Sequence, residues 1–265
     1  MITKEIVEQL NLPIEDYYIC YFDILGYKAF FENDQNEHKK FLAEILFAIG
    51  DVESEIRKKK PKLKVEIRTF SDNFLLFFKK EDKHQLFCLK TLCEIVQKIQ
   101  VRLLMNFGML VRGGITVGEF FANENIVFGE GLIKAVVLEE KIAKNPRVVI
   151  DKEVFKEELD ELLDLKLIVK DNDECYFVNY LGNDGFLLST KGKCEALINK
   201  YGKYHYLVKD ESKIILTERT ITKYIWLLIY FNSQCESLNR KELKIDYHLK
   251  LNERILKLEV FVGKN

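Results

Sequence analysis

Proline is scarce in this chain, 3 in 265 residues, and glycine reaches only 13, which excludes collagen-like repeats and low-complexity disorder. Neither sign of charge dominates: 41 Lys and Arg stand against 42 Asp and Glu, a formal net charge of −1. A whole-surface attraction to nucleic acid or anionic lipid is therefore excluded, and any partner has to be sought at a local site. Long hydrophobic runs are missing too. The longest, around residues 225–231, is far short of the ~18–20 apolar residues of a membrane span. The opening MITKEIVEQL has no apolar signal-peptide core, so a cytoplasmic protein is expected. His38, His84, His205 and His248 lack zinc-protease spacing, and no Walker loop or nucleophile elbow occurs. The cysteines Cys20, Cys88, Cys93, Cys175, Cys194 and Cys235 form no C-x-x-C pair, so they suggest neither a zinc site nor a disulfide framework and read as small buried apolar residues.

What is there is apolar and aromatic. Hydrophobic residues make up 48% of the chain, with 19 Phe and 12 Tyr, enough to bury a sizeable core. A short amphipathic segment in residues 1–13 predicts an N-terminal helix. Residues 17–24 form a nearly continuous aromatic and β-branched run ended by Gly26, the pattern of a central strand. Helical spacing follows from Phe41 to the basic run Arg57–Pro61, which reads as a solvated helix end. Residues 63–70 and 74–78 predict a hairpin turning at Ser71-Asp-Asn73. A helix over 83–105, a strand over 109–118, a short strand over 126–128, a helix over 131–144 and a strand over 148–150 complete the series. That order contains βαββαβ, so the expected class is α+β: a ferredoxin-like antiparallel sheet with helices on one face, over residues 14–152. Residues 153–265 read as a mixed C-terminal extension packed on it, with a helix near 154–163, a strand over 175–180 and a long helix over 220–237.

Two acids stand out. Asp23 closes the first strand and Asp72 sits in the hairpin turn, and neighbouring central strands would bring them together. Acids at the ends of apolar strands lose hydration and need a cation or donor. An oxygen-seeking ion such as Mg²⁺ or Mn²⁺ would hold such a pair and leave positions open for phosphate oxygens. The same residues would also suit a helix N-cap and an ordinary turn acid.

Phe22-Asp-Ile-Leu-Gly-Tyr27, Ser71-Asp72, Arg112-Gly-Gly-Ile-Thr-Val-Gly118 and Phe128-Gly-Glu-Gly131, in this order and on these elements, resemble the motifs of class III nucleotidyl cyclases, whose catalytic domain is palm-like. The resemblance covers roughly residues 17–150. It implies two Mn²⁺ or Mg²⁺ ions per site held by Asp23, Asp72 and the Ile24 carbonyl. It also implies triphosphate binding by the amides of Gly26, Tyr27 and Lys28, and a homodimer with composite active sites.

Departures narrow the resemblance. The adenine-reading Lys and Asp positions match Arg68 and Ile126, and an isoleucine cannot accept a hydrogen bond from an exocyclic amine. The Asn and Arg of the following helix match Ile133 and Val137. Retained metal positions with altered base and helix residues are similar to the bacterial Pycsar pyrimidine cyclases. Asn145-Pro-Arg-Val-Val-Ile150, Tyr176-Phe-Val-Asn-Tyr180 and residues 223–232 resemble that family's later region. The resemblance implies cyclisation of UTP, favoured over CTP, to the 3′,5′-cyclic monophosphate in antiphage defence, with a separate cyclic-nucleotide effector protein downstream and no nucleic acid or membrane partner. Arg68 is a candidate base contact, and Arg112 or Lys134 a candidate for the cation that Val137 cannot provide. A catalytically inactive cyclase-like binding module and a purine cyclase are the alternatives.

Overall fold

The computed structural model describes residues 14–27, 35–59, 63–80, 85–202 and 211–245. The expected helix over 1–13, the end of the basic run at 60–62 and Lys28 lie outside them. The first strand, β1 (Glu15–Leu25), lies inside the sheet, paired on both sides. It is followed by α1 (Gln35–Lys59), the hairpin β2 (Glu66–Phe70) and β3 (Asn73–Lys79), α2 (Gln85–Phe107), β4 (Leu110–Ala122) and the short β5 (Val127–Phe128). Next come α3 (Glu130–Val137), which continues into one π-helical turn (Leu138–Ile142), then β6 (Val148–Ile150), α4 (Leu159–Asp164) and β7 (Ile168–Lys170). β8 (Tyr176–Val178), α5 (Asp184–Gly202) and α6 (Glu211–Ser237) follow, and a 3-10 turn (Lys241–Leu243) completes the described order.

The strands join one eight-stranded sheet in the order β2-β3-β1-β4-β6-β8-β7, with β5 paired to β4. All pairings are antiparallel except β4 with β6. The α+β class and the βαββαβ unit therefore stand, and residues past 152 add β7 and β8 to the same sheet.

The alternation of β1 decides which helices go where, because successive side chains point to opposite faces. Tyr18, Cys20, Phe22 and Ile24 join α1 and α2 residues such as Phe41, Leu89, Leu92 and Val96 in one core. Tyr17, Ile19, Tyr21 and Asp23 face the other way. Over that second face lies α3, beside Ile19, Leu75, Phe77 and Phe120. Further along it, α6 packs Trp226, Leu227 and Phe231 with Leu110, Val149 and Phe177. Close approach of α3 depends on glycines of β4. A Cβ on Gly118 would lie 2.8 Å from the Gly131 Cα, and one on Gly114 would lie 2.4 Å from the Leu138 Cβ.

Three expectations are corrected. The helix near 154–163 shrinks to Leu159–Asp164, because the backbone turns through 152–158. The helix over 131–144 ends as α-helix at Val137, and a π turn carries Leu138–Ile142. The helices, expected on one face of the sheet, lie on both, α1 and α2 on one and α3 and α6 on the other. Residues 184–202 form α5. The six cysteines are free, and all but the partly exposed Cys175 are buried. Among the described residues no helix is long and apolar enough to cross a membrane.

Candidate active site

The register of three central strands builds the site. Asp23 pairs with Asn73 of β3 on one side and with Arg112 of β4 on the other. Asp72 occupies the two-residue turn just before Asn73, and the Ile24 N–H donates to its carbonyl at 2.9 Å. Both acids are thus fixed at the same end of the sheet. The turn holds Ser71 at φ 60, a left-handed conformation in which glycine is usual at the first central position of a hairpin, so backbone strain is stored beside Asp72. Beyond β1, Gly26 sits at φ 85, a turn conformation that costs glycine little.

Asp72 is oriented by its neighbours. The Asn73 amide donates to its Oδ1 at 3.2 Å, and the Asn73 side-chain carbonyl accepts from the Tyr21 hydroxyl. Tyr21 shares the Asp23 face of β1. Burial first, and then the charges of Glu139, Asp23 and Asp72, push its phenol up to about 12, so it stays protonated and able to donate.

Asp23 is engaged on one side only. The Arg112 guanidinium reaches its Oδ2 at 3.5 Å and also ion-pairs with Glu139 of the π turn. Oδ1 of Asp23 is buried with no hydrogen-bond partner among the described residues. Burial raises the Asp23 carboxyl above its ordinary range, and the Asp72 charge adds to this, while Arg112 and Lys223 act in the opposite sense. Glu139 is pushed up to about 7, by burial and by Asp23, against the pull of Arg112. Lys223 of α6 is held below its ordinary value by burial and by Arg112, with Asp23 and Glu139 opposing. The centre is therefore a group of carboxylates threaded by two cations in a partly dry setting, the kind of environment that tunes groups for chemistry.

Among the described residues no three or more His, Cys, Asp or Glu side chains converge as a preformed metal cluster. The site does offer a hard divalent ion an orphaned carboxylate oxygen and a second carboxylate beside it, and hard oxygen donors suit Mg²⁺ and Mn²⁺. The donor set fits such an ion.

Of the residues singled out from sequence, Asp23, Ile24, Asp72 and Arg112 come together, with Gly26 at the end of the same strand. Tyr27 stacks edge-on against Phe41, 5.7 Å between ring centroids, and burial with the Asp72 charge raises its phenol. Arg68 lies on the outer strand β2, where it pairs with Glu66 at 3.4 Å and covers the Phe77 ring at 5.4 Å. Lys134 is not brought to the acids within the chain. It pairs with Glu130 at 2.9 Å and faces Asp151 and Asp16 instead. Ile126, Phe128, Ile133 and Val137 are exposed.

Four site residues escaped the sequence reading: Tyr21, Asn73, Glu139 and Lys223. Tyr21 had a signal in its spacing of two from Asp23 on a strand. Glu139 follows buried Gly131 and Ala135 at successive intervals of four, which places an acid on the covered face of the helix.

No protein-family profile matches the chain, and no curated protein sequence matches it. Many solved structures are similar in part. One is an adenylate/guanylate cyclase/hydrolase from Silicibacter pomeroyi, 16% identical, with 62% of this chain and 94% of that one covered at a TM-score of 0.40. Another is the catalytic core of a rhodopsin-guanylyl cyclase with converted specificity, in complex with ATPαS, 12% identical, with 62% and 95% covered at a TM-score of 0.41.

Proposed function

We propose that the chain is a metal-dependent nucleotidyl cyclase acting on a pyrimidine nucleoside triphosphate, UTP in preference to CTP, in antiphage signalling through a separate cyclic-nucleotide effector. The observation that carries the reading is the pair Asp23 and Asp72, adjacent through the Ile24 to Asp72 backbone bond, with one Asp23 oxygen unpartnered. Burying an acid in this way costs stability unless a ligand uses it. Asp23, Asp72 and the Ile24 carbonyl would hold two ions. When bound, Mn²⁺ or Mg²⁺ supplies a lowered hydroxyl pKa and neutralises the leaving group.

In the reaction, O3′ of the ribose bonds to the α-phosphorus and the bond from that phosphorus to the bridging oxygen breaks. Pyrophosphate departs with the electron pair, and the O3′ proton passes to solvent. The chain's own groups position and neutralise. Gly26, Tyr27 and Lys28 offer backbone amides to the triphosphate, and Arg112 offers a guanidinium at the acids. The pyrimidine preference is supported by Ile126, which cannot accept from an adenine amine, with Arg68 as donor to a base carbonyl. Exposed Ile126, Phe128, Ile133 and Val137 beside α3 support pairing of two copies over this face.

The test is incubation of the purified chain with Mn²⁺ and each of the four nucleoside triphosphates, with products identified by mass spectrometry and Asp72→Ala as control. A cyclic pyrimidine monophosphate lost in the variant is expected. Cyclic AMP or cyclic GMP instead would refute the base assignment, and no cyclic product from any of the four would refute the cyclase reading.

A further inference from the structure

The acid cluster draws a cation from a helix outside the strands that build it. Lys223 belongs to α6 and lies three residues before Trp226 and four before Leu227, on the helical face that packs on the sheet. That face is anchored firmly: Leu227 and Phe231 are fully buried, Trp226 stacks on Tyr230 and meets the Phe177 ring edge-on, and its indole N–H donates to Asp171 at 2.8 Å. That apolar cluster also includes Leu110 of β4, with Leu25 of β1 and Leu138 of the π turn packed against it, and Lys223, half-buried one turn before Trp226 and Leu227, is within electrostatic reach of Asp23, Glu139 and Arg112.

The two cations of the cluster are in different situations. Arg112 is committed to Glu139 and Asp23, whereas Lys223 forms no ion pair with any described residue. An ammonium on a flexible stem, drawn to acids yet bonded to none of them, is a point charge available for a mobile anionic ligand. The one cation of α3, Lys134, pairs with Glu130, so positive charge does not reach the acids from that helix.

We propose that Lys223 binds the polyphosphate of the nucleotide, so that α6 completes the site that β1, β3 and β4 begin. The inference rests on the reading of this face as a nucleoside triphosphate site. It makes Lys223 a contact to the non-bridging phosphate oxygens, independent of which base is bound.

The test measures binding of inorganic tripolyphosphate to the full chain by calorimetry, with and without Mn²⁺, for the wild type and for Lys223→Met, Lys223→Gln and Lys223→Arg. Melting curves select the variants that fold. Loss of a charge-assisted contact is expected to weaken tripolyphosphate binding about tenfold to a hundredfold in Lys223→Met and Lys223→Gln, with Lys223→Arg within about threefold of wild type. Unchanged binding in the neutral variants, or no binding by the wild type, overturns the proposal. Tighter Mn²⁺ binding with tripolyphosphate affinity unaltered also overturns it, since Lys223 would then only neutralise the acids. A wild type that binds tripolyphosphate through Lys223 but cyclises no nucleotide upholds this contact and refutes the cyclase reading.

Discussion

Arg147 is the joint between the acid cluster and the helix that reaches it, and replacing it gives the sharpest test of how the site is held. Its side chain has no solvent exposure. The guanidinium pairs with Asp171 and with both oxygens of Asp173, at 2.9 Å to Oδ1. It donates to the carbonyls of Ala143 at 3.2 Å and Ile142 at 3.3 Å and lies 6.0 Å from the centre of the Phe177 ring. The two carbonyls end the π turn that carries Glu139, and Asp171 also receives the Trp226 indole. Arg147→Met keeps most of the volume but removes the guanidinium from two carboxylates and two carbonyls, leaving Asp171 with the Trp226 indole and Asp173 with the Cys175 N–H. Asp171 is partly buried and Asp173 half-exposed, so the loss falls at or below the lower end of the range for a fully buried pair, about 2–3 kcal/mol. For a chain of this size that corresponds to a fall in Tm of roughly 4–12 °C. Arg147→Lys should recover only a minor part, because one ammonium cannot reproduce the fork. Thermal unfolding followed by circular dichroism measures the shift. A fall under about 2 °C in Arg147→Met would refute the reasoning, since surface substitutions reach that range.

The other perturbations act on the same face of the sheet. Gly118→Ala puts a methyl 2.8 Å from the Gly131 Cα and should cost about 1–3 kcal/mol in urea unfolding as α3 is pushed off β4; an unchanged midpoint would mean that α3 is not in close contact. Asp23→Asn should abolish cyclic product yet leave Tm equal or higher, because burial already disfavours the charged carboxyl; a drop of several degrees would show Asp23 to be structural. Glu139, raised from 4.5 to about 7, holds a proton in the folded chain that the unfolded chain releases. Its contribution is therefore fully present below the unfolded value and is lost as pH rises through about 7. Glu139→Gln should accordingly flatten the decline in Tm across that window, and an identical decline in wild type and variant would exclude Glu139 as its source.

The strands were legible where burial makes them continuous. Residues 148–150 match β6 residue for residue, and the run over 17–24 falls one to two residues short of β1 at its ends. A strand covered on both faces needs apolar residues at every position, and that pattern survives in one dimension. β7 left no such trace: Ile168-Val-Lys170 is too short to show a period. The helix α5 was hidden by Gly185 and Gly192, weak helix formers in a segment whose buried face includes Leu187, Thr190, Cys194 and Ile198. The π turn was invisible because a single added residue changes the period after the last α-helical turn without altering the composition.

The site divides along the same line. Asp23 and Asp72 were legible because an acid that ends or joins apolar strands breaks a local pattern. Asn73 and Tyr21 follow from them by strand register. Glu139 and Lys223 do not, since each looks like an ordinary charge on a helix until tertiary packing shows which way that helix faces. This difference changes how Ile133 and Val137 should be read. Taken along the chain, they look like the loss of the polar equipment of one helix. In the folded protein positive charge at the acids comes from β4 through Arg112 and from α6 through Lys223. On the proposed reading the electrostatic requirement belongs to the position where charge develops and not to a particular element, so a cation supplied by α6, further along the same face, serves as well as one on α3. The proposal then extends the site's support to α6 and its Arg147–Asp171–Trp226 anchor, although no residue of that anchor is placed in the site.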